Sequence, residues 1–127
     1  MSDTILYSKE HVYAKQENNE IICGISVFAQ KELEDIVFVE LPEVDTEVEQ
    51  GDVVCTVDSM KSTSEIYAPV SGTITEVNET LSDSNNVSLV NTDPLNQGWI
   101  FKLKPTNFED EKKELLTEEQ YKSFIEE

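Results

Sequence analysis

Between Gly51 and Gly72 the chain reads as two short β-type runs facing each other across a polar tip. Val53-Val54-Cys55-Thr56-Val57 leads in, and Ser64-Glu65-Ile66-Tyr67-Ala68 leads out. Runs of this length, with turn residues between them, predict an antiparallel hairpin. Gly51 lies ten residues before Lys61 (61 − 51) and Gly72 eleven after it (72 − 61), so the lysine falls at the tip. Such a pair commits the surrounding chain to antiparallel sheet, because parallel strands need long crossover connections. No segment supplies the long helices that those connections use.

The other runs agree with that class. Tyr7, Val12 and Tyr13 fall in a weak strand pattern before a turn at Glu17-Asn18-Asn19-Glu20, and Ile21–Ile25 is a compact strand. Ser26 is placed to cap a short helix over Val27–Leu33, with Phe28 and Leu33 toward the core. Ile36–Leu41 is the strongest strand, ended by Pro42, and Val44–Asp52 reads as strand and turn. Gly72–Asn78 alternates cleanly, Leu81–Asn86 reads as loop, and Trp99–Lys104 forms the last strand before Pro105, with Trp99 and Phe101 in the core. Beyond Asn107, Leu115, Leu116, Tyr121, Phe124 and Ile125 fall at helical spacing, and Thr117-Glu118-Glu119-Gln120 fits a capping box. The expected architecture is mainly β, a flattened barrel-sandwich with one short internal helix and short C-terminal helices. At 127 residues this is expected to be a single domain, 1–127, with a core over about 5–104 and helical trim over 105–127.

Charge narrows the partners. There are 27 acids against nine bases, all lysine, for a formal net charge of −18. Nucleic acid and anionic membrane surfaces need cationic groups and are excluded as partners on this ground. Acidity serves solubility, steers the chain toward basic surfaces, or both. No apolar run approaches the length of a membrane span, and the N-terminus has neither a signal-peptide pattern nor an arginine-rich transit pattern. The expected address is the cytoplasm, or the mitochondrial matrix if a presequence has been removed.

The residues offer little to a self-contained enzyme. His11 is the sole histidine, there are four glycines with no phosphate-cradling loop, and no nucleophile elbow is present. Cys23 and Cys55 lie in apolar runs without metal spacing and read as buried free thiols. Lys61 suggests a different role. A lysine amine is nucleophilic only when neutral, and a reference pKa of about 10.4 keeps an exposed one protonated. Held out on a turn, it is a poor catalyst and a good substrate for an enzyme that brings an activated acyl group.

The stretch Asp58-Ser59-Met60-Lys61-Ser62, with Tyr67-Ala68-Pro69-Val70-Ser71-Gly72 after it, resembles the prosthetic-lysine hairpin of the lipoyl and biotinyl carriers. Within that group the chain resembles the H-proteins of the glycine cleavage system over nearly its whole length. His11-Val12-Tyr13 stands where the family has His, an acid and Trp. Cys23–Gln30, Asp35–Pro42, Leu81–Ser84, Val90–Pro94 and Gly98–Leu103 match further family segments in order.

The resemblance implies a lipoyl amide on Lys61 and a carrier, not an enzyme. Its partners would be the glycine decarboxylase (P-protein), the aminomethyltransferase (T-protein), the dihydrolipoyl dehydrogenase (L-protein) and a lipoyl-attaching enzyme. The arm would take the aminomethyl group from the first to the second and present the dithiol to the third. Asp58, in place of the family's Glu, keeps a charge that the attaching enzyme can read. Glu65 matches an acid expected to contact the arm or its aminomethyl load, and His11 is a second candidate arm contact. Val12 replaces another such acid, for which Glu10 is a candidate substitute. Alternative roles are a lipoyl relay or donor in lipoate assembly, a biotin carrier suggested by Met60 beside the lysine, and an unmodified interaction module.

Overall fold

The computed structural model describes residues 5–17, 19–82, 86–93 and 97–125. Among the described residues nine strands form two antiparallel sheets. The first sheet takes β1 (Ile5–Tyr7), β2 (Val12–Glu17), β3 (Glu20–Ile25), β5 (Glu47–Val48), β8 (Gly72–Val77) and β9 (Phe101–Pro105), ordered β1-β2-β3-β9-β8-β5. The second takes β4 (Ile36–Glu40), β6 (Val53–Ser59) and β7 (Thr63–Tyr67), ordered β4-β6-β7. Their inner faces meet in one core that includes Val12, Ile25, Val39, Val57, Ile66, Ile74 and Leu103. The result is the expected mainly β flattened sandwich, with open sheet edges and no closed barrel.

Strands β2 and β3 are covered on both faces, and this explains their composition. Val12 and Ala14 pair with Ile25 and Cys23 and point into the main core. Between them Tyr13 points the other way, into a second cluster with Tyr7, Ile22 and Tyr121. That cluster lies under α4 (Glu118–Ile125), so β3 shows a continuous apolar run rather than alternation. Gly24 faces the Tyr13 ring, where a Cβ would lie 2.9 Å from ring atoms. Only a residue without a side chain leaves room for that ring.

Helix α1 (Val27–Leu33) links β3 to β4 as the sequence predicts. The Ser26 hydroxyl accepts the Ala29 N–H at 3.1 Å, and Leu33 is buried. The capping box also forms: Gln120 N–H donates to Thr117 Oγ1 at 3.2 Å, and Thr117 N–H donates to Gln120 Oε1 at 3.0 Å. Cys23 and Cys55 are buried free thiols. Among the described residues no helix is long and apolar enough to cross a membrane.

Several elements differ from the sequence reading. The Val44–Asp52 strand contracts to Glu47–Val48, because Asp45 takes a left-handed conformation (φ 73°) that ends regular pairing. Leu81 and Ser82 close a 3-10 turn over Glu79–Ser82 instead of opening a loop, while residues 83–85 lie outside the described part. A further one-turn helix, α2 (Leu89–Thr92), precedes residue 94, which is also outside it. Pro105 is the last residue of β9 rather than a stop beyond it. Trp99 is half-buried at the flank of the second cluster, with Lys102 Nζ 5.0 Å from its ring centroid, so it is not a core residue as Phe101 is. The C-terminal trim is α3 (Phe108–Glu111), a 3-10 turn over Lys112–Glu114, and α4.

Candidate functional site

Lys61 sits at the tip of the β6–β7 hairpin. Register runs from Val53↔Tyr67 to Asp58↔Thr63, with one irregularity between Val53 and Cys55. Two bonds join Ser59 to Ser62 across the tip: Ser59 N–H to the Ser62 carbonyl at 2.8 Å, and the Ser59 hydroxyl to the same oxygen at 3.0 Å. The Ser59 oxygen also accepts the N–H groups of Lys61 at 3.1 Å and Ser62 at 3.0 Å. A hydroxyl two residues before the lysine thus replaces the missing backbone partners of a tight turn. The two-residue spacing of Ser59 to Lys61 is the sequence signal that marks this role.

The turn is tied to the rest of the molecule on one side. Met60 N–H donates to the Asp35 carbonyl at 2.9 Å, joining the tip to the corner between α1 and β4. That corner has an unusual backbone: Glu34, at the helix C-cap, has φ 63° and ψ −124°. Positive φ is strained for a residue with a side chain. Asn91 on α2 braces the corner, accepting Ile36 N–H at 3.0 Å and donating to the Glu34 carbonyl and to Gln30 Oε1. No feature of the sequence alone points to Asn91 in this role. The Glu34 carboxylate lies 3.7 Å from Lys61 Nζ, and both side chains are largely exposed.

The other candidates separate into two groups. Asp58, Lys61 and Glu65 share the hairpin. Asp58 Oδ1 accepts the Thr63 hydroxyl at 2.8 Å, locking the last pair before the turn. Glu65 Oε1 accepts the Tyr67 hydroxyl at 3.2 Å, and this bond, with the charge of Glu65, raises the tyrosine pKa. The charge of Glu10 adds a smaller part to that rise, and Glu10 lines a surface hollow with Ala68 and Pro69.

His11 lies in the second cluster instead. Its ring meets Phe28, Tyr121 and Phe124, and Nδ1 lies 2.6 Å from the Tyr121 hydroxyl. Burial lowers its pKa, opposed by the charges of Glu10 and Glu32. The Tyr121 hydroxyl also lies 2.7 Å from Ser26 Oγ, a link between α4 and the α1 cap that the sequence does not announce. Val12 is fully buried in the main core.

Nucleophilic chemistry finds no support in the thiols. Burial raises the Cys55 pKa to about 12 and that of Cys23 well above its ordinary value, so both stay protonated. Among the described residues no group of histidine, cysteine and carboxylate side chains could hold a metal ion. The arrangement offers an exposed primary amine on a braced turn, with carboxylates on the flanking strand positions.

Comparison with known proteins identifies relatives of this arrangement. The family model described as "Glycine cleavage H-protein" matches residues 5–127. A probable glycine cleavage system H protein of Thermococcus gammatolerans is 47% identical over 127 residues, covering 99% of this chain and 92% of that protein. The glycine cleavage system H protein of Oceanobacillus iheyensis is 47% identical over 121 residues, covering 95% and 94%. Among solved structures, a glycine cleavage system H protein from Mycobacterium marinum superposes with a TM-score of 0.85 at 30% identity, covering 100% of both chains.

Proposed function

The chain belongs to the glycine cleavage H-protein family, and on that premise we propose that it is a lipoyl carrier of the glycine cleavage system, with the lipoyl group held as an amide on Lys61. The observation that carries this reading is the Lys61 amine itself, exposed at the tip of a hairpin whose turn is fixed by Ser59 and Asp35. The residues fit the group. The Lys61 side chain is largely exposed, and Glu34 is its sole ion-pair partner among the described residues.

Attachment forms one amide bond between Nζ and the carbonyl carbon of an activated acyl group. The ammonium releases two protons, one to become nucleophilic and one as the amide forms. The activating group leaves with the electron pair of the broken carbonyl–oxygen bond. When bound, a lipoyl group supplies a disulfide that can take up an aminomethyl unit with reduction and can be reoxidised afterwards.

The chain's own residues bind and present. Lys61 anchors the arm, and Asp58 carries the charge that the attaching enzyme reads beside it. Glu65 supplies a carboxylate to the arm or its cationic load, and His11 is the second proposed contact, its Nδ1 already engaged by Tyr121. The partners in this reading are the glycine decarboxylase, the aminomethyltransferase, the dihydrolipoyl dehydrogenase and the attaching enzyme. The protein acts by raising the effective concentration of a tethered group, not by lowering a barrier.

Peptide mass spectrometry on protein from its native cells tests the attachment, with a lipoyl-sized addition expected on Lys61. A biotinyl-sized addition, or a bare lysine in lipoate-replete cells, overturns it. Reconstitution of the loaded protein with the three enzymes tests the pathway, with glycine-dependent release of carbon dioxide expected. Failure there, with efficient lipoyl transfer to lipoyl domains of 2-oxoacid dehydrogenases, overturns the glycine role in favour of a relay.

A further inference from the structure

Three exposed apolar side chains crowd the lysine turn. Val37 is 44% exposed, Phe38 52% and Met60 77%. Regular strand alternation turns only one of two neighbours outward. Here the register slips between Ile36 and Phe38, and both Val37 and Phe38 face solvent. A bulge of this kind re-aims side chains and marks a built feature. Register then sets Phe38 beside Asp58, and the Met60 amide is bonded to Asp35, so the apolar side chains border the turn directly.

The rim of this patch is anionic. Over residues 32–43 and 52–68 Lys61 is the sole base; Glu40 lies on β4 with Val37 and Phe38, Asp58 pairs with Phe38, and Glu34 and Asp35 form the corner just before β4. An apolar centre with a charged rim has the composition of a docking site.

Reach decides the occupant. The bare amine stands one side chain away from the backbone. An enzyme that acylates it must bring an activated carbonyl into bonding distance of Nζ, and so must cover the turn and its neighbours. Enzymes that work at the far end of an attached arm can stand off by the length of that arm. We propose that Val37, Phe38 and Met60 form the docking patch for the enzyme that acylates Lys61, and that its active-site mouth presents an apolar socket rimmed by lysine or arginine. This inference rests on the reading of Lys61 as an acyl-lysine.

The test is steady-state acylation of the full-length unmodified chain by a purified lipoate–protein ligase with lipoate and ATP. Phe38→Ser and Met60→Ser are each expected to raise KM for the carrier about tenfold, with kcat within about twofold of the parent. Phe38→Leu restores most of the loss. Val53→Ser, a control 49% exposed at the far end of β6, leaves KM unchanged. Circular dichroism of every variant should match the parent, because these side chains stand outside the core. Parental KM for both serine variants near the turn, or an equal rise for Val53→Ser, overturns the patch while acylation of the parent upholds Lys61. Absence of acylation in the parent overturns both.

Discussion

The Tyr121 hydroxyl stands 2.6 Å from Nδ1 of His11, a bond that joins residues 110 positions apart and fastens α4 to the first hairpin. The same hydroxyl reaches Ser26, and its ring stacks on Tyr7 with centroids 4.4 Å apart. Tyr121→Phe keeps the stacking and strips the hydroxyl from two partners. Unpartnered polar groups in such a site cost about 1–3 kcal/mol. The variant is expected to show that loss in denaturant unfolding, with acylation of Lys61 at the parental rate.

His11 makes stability depend on pH. Its folded-state pKa is depressed by burial, so the folded protein binds its proton less readily than the unfolded chain does. The contribution is therefore present above the unfolded value of about 6.5 and is lost as pH falls below it. Unfolding free energy measured from pH 8 to pH 5 should decline through this window more steeply for the parent than for His11→Asn. Asparagine tolerates the φ of 69° at this position and does not titrate there.

Lys61→Arg removes the acceptor amine and keeps the charge near Glu34. Modification is expected to vanish from intact mass spectra. The unfolding free energy should stay within about 1 kcal/mol of the parent, because an exposed ion pair contributes no more than that.

Ser59→Ala takes away the oxygen that accepts the Lys61 and Ser62 amides. Hydrogen exchange at these two amides should speed up, with a global stability loss of about 1 kcal/mol or less, since the turn is exposed. Exchange at parental rates would mean that the Ser59–Ser62 backbone bond alone holds the turn.

Val12→Glu separates burial from family pattern. The site is 0% exposed. A carboxylate there has no partner in an apolar core and should destabilise the fold by several kcal/mol, seen as a large fall in the unfolding midpoint. Tighter retention of a cationic load by a folded Val12→Glu protein would contradict this placement.

Local signals were readable wherever a residue's role depends on its chain neighbours. Ser26 and Thr117 cap helices as their spacing to Ala29 and Gln120 predicts, and the run flanking Lys61 forms the hairpin. Where distant segments decide, the sequence carries no such mark. Nothing near Val12 tells that α4 covers the outer face of β2 and leaves the inner face for the core. Nothing near Asn91 tells that its amide will brace Glu34, 57 positions away. Val44–Asp52 alternates in sequence and still contracts to Glu47–Val48 beside the left-handed Asp45, a backbone turn that the alternation does not announce.

The braced lysine turn has a mechanical consequence. With Ser59 holding the tip and Asp35 gripping Met60, the backbone at Lys61 acts as a fixed pivot, and positional freedom belongs to whatever the amine carries. A pivot that drifted would enlarge the volume searched by the cargo and dilute it at each enzyme's door. Keeping the fulcrum still confines that search to a cap whose radius is the arm alone.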